Sequence, residues 1–324
     1  MSFGLRGVYP TMSRRPDNPD TPYDAVIVGG GPAGLSAALV LGRARKRVLV
    51  VDDDKPANAA SQGVGGLLGH DRPMPSELRE RGWRQLAEHP DVERHRGAVA
   101  DAARIGDVFA VELADGPLVS AHAVVLAHGL RYDPPPLPGI EPLWGRSVFH
   151  CAFCDGWEVR DRALAFHGSG PGAVRSALLL ANWSNDVVLC TDGAPDPGDV
   201  LLADAGVRVR TEPIARLAGH SGALGRIEFT HGPVEQREAL FVNTRRDQPN
   251  GLADALGCEQ TPDGTIVIDG DGRTSIPGVY AAGDAATPHA RSVANAIGMG
   301  SRVAYAVVLG RASHTRKEER APYL

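Results

Sequence analysis

Large aromatic rings are scarce, 5% of the chain, and cysteine is scarcer still, four in 324 residues. The first scarcity excludes a sandwich built on aromatic packing, and the second excludes a disulfide scaffold. No unbroken run of eighteen apolar residues is there to cross a bilayer, and the first twenty residues lack the basic-then-apolar order of a secretory signal. Neither sign of charge dominates, since 34 Lys and Arg against 39 Asp and Glu leave a net charge of −5 without a long single-sign block. That argues against nucleic acid or a membrane surface as a partner. A soluble protein of the reducing cytoplasm is the expectation. Glycine is plentiful, 39 residues, which favours tight turns and close packing of small side chains. The length suits two domains, each able to bury its own core.

One pattern occurs twice, about 140 residues apart. The first copy is a buried strand from Ala25 to Val28, the turn Gly29-Gly30-Gly31-Pro32-Ala33-Gly34, a helix to about Arg45 and a strand from Val48 ending at Asp52. In the second, a strand from Ala163 to Phe166 leads to Gly168-Ser169-Gly170-Pro171-Gly172-Ala173, a helix to about Trp183 and a strand from Val187 to Cys190. Two such units predict an α/β fold of two Rossmann-like doubly wound domains, the second inserted in the first. Pro134, Pro135, Pro136 and Pro138 mark an extended crossing out of the first domain, and the polar stretch 245–251 marks the return. The division is therefore a disordered segment 1–22, a dinucleotide-binding domain from 23–133 and 252–312, an inserted domain 134–251 and a polar tail 313–324. Short alternating runs between Ala98 and Ala127 predict a small antiparallel sheet. Strands resume at Thr265 to Ile268 and Val279 to Ala282, before a long closing helix from Ser292 to Leu309.

In the first turn Gly29 permits the tight bend, Gly31 lets the backbone approach a pyrophosphate, and Ala33 and Gly34 pack the helix against the strand. The helix N-terminus offers free amides to phosphate. Asp52, eighteen residues after Gly34, can accept the hydroxyls of an adenosine ribose. At the equivalent point of the second unit stand Thr191, Asp192 and Gly193, with no cation for a 2′-phosphate. NADPH is thereby disfavoured, while NADH through Asp192 and a purely scaffolding unit both stay open.

Cys151 and Cys154 form a CxxC pair followed by Asp155 and Gly156. A zinc site wants four ligands, and Cys190 and Cys258 stand alone, so no metal is expected. Two thiols within one helical turn can close a reversible disulfide, and redox use is the favoured reading. Cys190 and Cys258 read as buried fillers. For Asp155 two roles are open, a proton carrier raised in pKa by burial and a helix N-cap. His150 and His289 flank the candidate elements and are open between assistance and no chemistry, and His128 receives no role.

With the first glycine turn, the Cys151 to Gly156 segment and the late stretch Thr274-Ser275-Ile276-Pro277-Gly278-Val279-Tyr280-Ala281-Ala282-Gly283-Asp284 in this order, residues 23–312 resemble the low-molecular-weight thioredoxin reductases, FAD-dependent disulfide oxidoreductases. The resemblance implies FAD as cofactor, Gly283 and Asp284 at its ribityl or pyrophosphate oxygens, and Arg291, Ser292 and Val293 opening a helix toward the flavin, with Asn58 near the ring. It also implies a homodimer, and Cys154 as the sulfur against the flavin. Family reductases carry a His-Arg-Arg cluster where Thr191-Asp192-Gly193 stands, and that departure resembles the dithiol oxidase branch, which closes disulfides in small natural products such as holomycin and gliotoxin and passes electrons to O2. Asp155, by contrast, is the residue of ordinary reductases. Three other functions stay open: a disulfide reductase fed by NADH or a protein donor, a flavoprotein acting on a protein disulfide, and a nucleotide-binding sensor without turnover.

Overall fold

The computed structural model describes residues 21–70 and 72–318; the expectations for segments 1–20 and 319–324 lie outside the described residues. From the first unit, β1 (Ala25–Val28), α1 (Pro32–Arg43), β2 (Val48–Asp52), α2 (Pro75–Leu86) and β3 (Val92–Arg96) follow in order. The antiparallel strands β4 (Val99–Ile105), β5 (Val108–Leu113) and β6 (Leu118–Ala121) form the expected small sheet, and β7 (Val124–Leu126) rejoins the first. After β8 (Arg131–Asp133) the second unit begins with β9 (Val148–Phe149), α3 (Ala152–Asp155), β10 (Leu164–His167), α4 (Gly170–Leu180), β11 (Val187–Cys190), α5 (Val200–Asp204) and β12 (Arg208–Arg210). It is completed by β13 (Ile214–His220), β14 (Ala223–Phe229), β15 (Glu235–Gln236) and β16 (Ala239–Val242). Then β17 (Arg245–Asp247), α6 (Leu252–Ala255), β18 (Val279–Ala281) and α7 (Val293–Glu318) close the chain.

The first sheet has the order β18-β7-β1-β2-β3 and the second β12-β11-β10-β16-β9, all strands parallel within each. Strands with both faces covered read as unbroken aliphatic runs, and Ala25 to Val28 and Val187 to Cys190 are buried throughout. The fold is therefore α/β with two Rossmann-like sheets, and the ribbon of β8 against β17 joins the units. Helix α1 can start so close to β1 because residue 34 is glycine: a β-carbon there would lie 1.9 Å from the carbonyl oxygen of Gly29.

Three expectations need correcting. Thr265 to Ile268 is no strand; Ile266 makes one isolated bridge to Gln260, while the hydroxyl of Thr265 faces Arg291. Helix α7 runs beyond Leu309 to Glu318, and it begins at Val293 because Ser292 Oγ accepts the Asn295 N–H at 3.2 Å, ending the loop before it. Its stretch Val293–Gly310 reaches a mean hydropathy of 1.3, apolar enough by length and composition for a span. Ala296, Met299, Val303, Ala304, Ala306 and Val307 lie in the core with α1, the packing of a core helix.

Candidate active site

The pair Cys151 and Cys154 is closed as a disulfide, Cα to Cα 5.3 Å. Cys151 is the N-cap of α3, its Sγ accepting the Cys154 N–H at 3.1 Å, so one short helical turn brings the two sulfurs together. Asp155 ends that turn and is 9% exposed, and its side chain caps no backbone amide, which removes the N-cap reading. Burial above all, then the nearby Glu158 charge, pushes its carboxyl up to about 6, partly offset by Arg72. Cys190 and Cys258 are free and buried, and burial drives the Cys190 thiol up to about 12, which suits filler and not chemistry.

The raised carboxyl has a consequence for stability. Because the native state holds Asp155 at about 6 against its ordinary 3.8, protonation favours folding fully below about pH 4, and that gain is lost as the pH rises through 6. Above it, the ionised group costs about 3 kcal/mol. Asp155→Asn is therefore expected to melt higher than the parent at pH 7.5 and to converge with it near pH 4. Equal differences at both pH values would contradict a buried titrating carboxyl.

A loop of the first unit lies over the pair. A β-carbon on Gly65 would fall 2.6 Å from the Cys154 carbonyl oxygen, and one on Gly145 would fall 2.4 Å from that of Ala60. Arg72 Nε meets Glu158 Oε1 at 3.0 Å. On the other side the His150 ring stacks on Tyr132, centroids 4.6 Å apart, and next to Trp144 at 5.8 Å. Part of that ring stays open to solvent, yet desolvation by its surroundings still lowers it to about 4, so it is neutral near pH 7. Tyr132 in turn donates its hydroxyl to Asp284 Oδ2 at 2.7 Å. The disulfide segment is thus tied through His150 and Tyr132 to the late glycine motif.

The first glycine turn and the late motif adjoin, for a β-carbon on Gly283 would lie 3.0 Å from that of Ala33. Gly29 has φ of 103°, and Gly31 is the N-cap of α1, with no side chain capping the first turn. A β-carbon on Gly31 would meet no atom within 4 Å: the backbone there fronts open space. Asp52 ends β2 with its Oδ1 accepting the Gly30 N–H at 2.9 Å and its Oδ2 held by Arg79. Burial raises the pKa of the Asp284 carboxyl and also drives the Tyr132 hydroxyl upward. Arg291 Nε and His128 Nε2 are buried without a hydrogen-bond partner; burial lowers the His128 ring to about 4, and a β-carbon on Gly29 would lie 2.8 Å from the His128 Cα. An uncapped helix start, an open glycine cradle and unpartnered donors together fit a dinucleotide. Asn58 lies farther along, in the turn where its carbonyl accepts the Ser61 N–H, and His289 is exposed.

Arg72, Arg79, Tyr132 and Glu158 were not singled out by sequence. Arg79 lies 27 residues from Asp52 and Tyr132 lies 152 from Asp284, separations at which no local pattern reveals a partner. After β11 of the second unit, Asp192 is engaged by neighbouring strands, Oδ1 accepting the Ile214 N–H at 2.7 Å and Oδ2 facing His167 Nε2 at 3.3 Å. The neighbouring cation, Arg210, is tied to Glu212 and Glu235. Among the described residues no group of three or more His, Cys, Asp or Glu is placed to hold a metal.

Known proteins of the same shape and sequence pattern are numerous. The chain is 32% identical over 275 residues to thioredoxin reductase tcpT of Claviceps purpurea, covering 81% of this chain and 86% of the relative. It is 27% identical over 303 residues to the thioredoxin reductase of Aquifex aeolicus, covering 89% and 93%. The crystal structure of HlmI superposes with a TM-score of 0.86 at 39% identity, covering 92% of this chain and 97% of that one. That of a thioredoxin reductase TrxB from Bacillus anthracis does so with a TM-score of 0.85 at 32% identity. Residues 23–300 match the pyridine nucleotide-disulphide oxidoreductases. With a disulfide in the second unit, a glycine cradle in the first and relatives of this kind along most of its length, the chain belongs to the pyridine nucleotide-disulphide oxidoreductase family, as a thioredoxin reductase-like flavin enzyme acting on sulfur.

Proposed function

We propose that the chain is an FAD-dependent dithiol oxidase that closes an intramolecular disulfide in a small-molecule dithiol of natural-product biosynthesis, of the holomycin kind, with O2 as the electron acceptor and H2O2 as the product. One observation carries this reading: after β11, where the 2′-phosphate of NADPH would lie, Thr191-Asp192-Gly193 supplies no cation, and the neighbouring Arg210 is tied to Glu212 and Glu235. The likeness to HlmI, higher in identity than that to the Bacillus reductase, supports the same branch.

Gly29, Gly31, Ala33 and Gly34 with the start of α1 would hold the pyrophosphate, Asp52 the adenosine ribose, and Gly283 and Asp284 the ribityl side. Arg291, Ser292 and Val293 at the start of α7 would face the flavin, with Asn58 beside it. FAD, when bound, supplies the two-electron acceptor that returns the cysteine pair to its disulfide and delivers the electrons to O2. The protein's own residues carry the sulfur steps. A substrate thiolate attacks Cys151 Sγ, the bond to Cys154 breaks, and Cys154 leaves as a thiolate whose proton demand Asp155 meets. The second substrate thiol gives up its proton and displaces Cys151, so the substrate departs with one S–S bond and the enzyme keeps two reduced cysteines. Helix α3 holds the sulfurs in line for both displacements. A homodimer in a reducing cytoplasm, where Cys190 and Cys258 stay thiols, completes the proposal.

The test is anaerobic mixing of the purified flavoprotein with each reductant. Dithiothreitol or another small dithiol is expected to bleach the flavin absorbance within the turnover time, and admitted air to restore it with one peroxide per dithiol. NADPH is expected to leave the colour unchanged. Fast bleaching by NADPH or NADH, with thioredoxin accepting the electrons, would replace the oxidase by a reductase.

A further inference from the structure

We infer that Arg79 is a positioning residue for the cofactor: from helix α2 it fixes the Asp52 carboxylate and the Gly30 carbonyl in the arrangement that receives an adenosine ribose. This role rests on the reading of Asp52 as the acceptor of the ribose hydroxyls. Asp52 ends β2, is 7% exposed, and opens on a cavity of about 340 Å³ that Asp53, Asp54, Lys55, Arg96 and Gly97 also line. Arg79 is not in that wall and acts on the acid from behind.

Arg79 stands one helical turn before Trp83, so both side chains leave α2 on the same face. Its Nη2 donates to Asp52 Oδ2 and, at 2.9 Å, to Asp54 Oδ1, while its Nε faces the Gly30 carbonyl oxygen at 3.5 Å. One guanidinium thus joins the glycine turn, the end of β2 and the loop after it, with only 14% of its side chain exposed. Arg94 of β3 supports the arrangement, its Nη2 reaching the same Asp54 oxygen at 2.8 Å and its guanidinium lying 4.0 Å over the Trp83 ring. A β-carbon on Gly30 would fall 2.6 Å from Trp83 Cζ2 and 2.7 Å from Asp52 Cγ, so the turn, the acid and α2 are packed against one another.

A carboxylate oxygen can accept two hydrogen bonds. The Gly30 N–H takes one place on Oδ1 at 2.9 Å and Arg79 takes one on Oδ2, which leaves a place on each for the two neighbouring hydroxyls of a ribose. Without the guanidinium, the two acids that share its Nη2 would repel each other, and Oδ2 would lose the donor that sets the plane of the carboxylate.

Fluorescence titration of the full-length apoprotein with FAD separates this role from a merely structural one, in a cycle of Arg79→Gln, Asp52→Asn and both together. Asp52→Asn is expected to weaken FAD by about tenfold or more. Arg79→Gln should weaken it by about tenfold in the parent, but by less than about twofold once Asp52 is replaced. Arg79→Lys, which keeps one charged donor, should stay within about threefold of the parent. Should Arg79→Gln fail to fold, Asp54→Asn, an exposed change that loosens the same guanidinium, is still expected to weaken FAD by about threefold. An equal loss from Arg79→Gln in both backgrounds, no loss in either, or unchanged affinity in Asp54→Asn would overturn the role of Arg79. An Asp52→Asn protein that binds FAD as the parent does would instead overturn the reading of Asp52 as the ribose acceptor.

Discussion

Cys154→Ser is expected to lower dithiol oxidation by about 10³-fold or more while leaving the flavin bound. The reason is that turnover needs two sulfurs at one turn of helix: Cys151 at the N-cap to receive the substrate, and Cys154 three residues on to leave and later re-form the bond. With serine at 154 the oxidised pair cannot exist, so there is no S–S bond for the substrate thiolate to attack. Nothing about the glycine cradle changes, because the cradle belongs to the other sheet, with α1 and the late motif. The measurement is peroxide release under air beside the visible spectrum of the purified variant. A variant that loses activity and colour together would show only that it had misfolded, and one that kept turnover would end the disulfide mechanism.

The second large effect separates two glycines three residues apart. At position 34 a methyl group would press on the Gly29 carbonyl at 1.9 Å, against backbone that cannot yield without parting α1 from β1. Gly34→Ala should therefore destabilise the apoprotein by about 3 kcal/mol or more, lowering its Tm by roughly 6–12 °C. At position 31 the same methyl group meets nothing within 4 Å, and the backbone there, φ −76°, accepts any residue. Gly31→Val should leave the apoprotein's melting within about 0.5 kcal/mol of the parent and yet weaken FAD binding by about 100-fold, since its side chain would stand where the pyrophosphate belongs. Melting of both apoproteins and fluorescence titration with FAD check the contrast. Were Gly31→Val to bind FAD as the parent does, the cofactor would lie elsewhere.

Much of the fold was legible because its signals are local. An aliphatic run, a glycine turn and a small-residue helix follow one another within twenty or so residues, and Ala25–Val28, Val48–Asp52 and Val187–Cys190 lie where the runs place them. The cysteine pair was legible for the same reason. Thr265 to Ile268 misled because a short run of four β-branched residues looks like a strand whether or not an edge is free to receive it, and Ile266 makes one isolated bridge, to Gln260, while its N–H goes to the Ala285 carbonyl. The surroundings of the pair were illegible. Arg72 reaches Glu158 across the two units, and Tyr132 reaches Asp284 across 152 residues within the first, and such meetings are decided by how the elements pack and by nothing in the neighbouring sequence.

The embrace of α1 by α7 bears on how the chain is made. Ser36 gives its hydroxyl to the carbonyl of Ile297, 261 residues later, whereas every strand of the other sheet comes from between Val148 and Val242. On the ribosome the later-starting sheet can finish first, while the opening strands wait with their aliphatic faces bare until synthesis is almost over. Truncation within the final helix is thus expected to leave a folded remnant around residues 148–242 and an aggregating beginning, the inverse of what chain order alone would suggest.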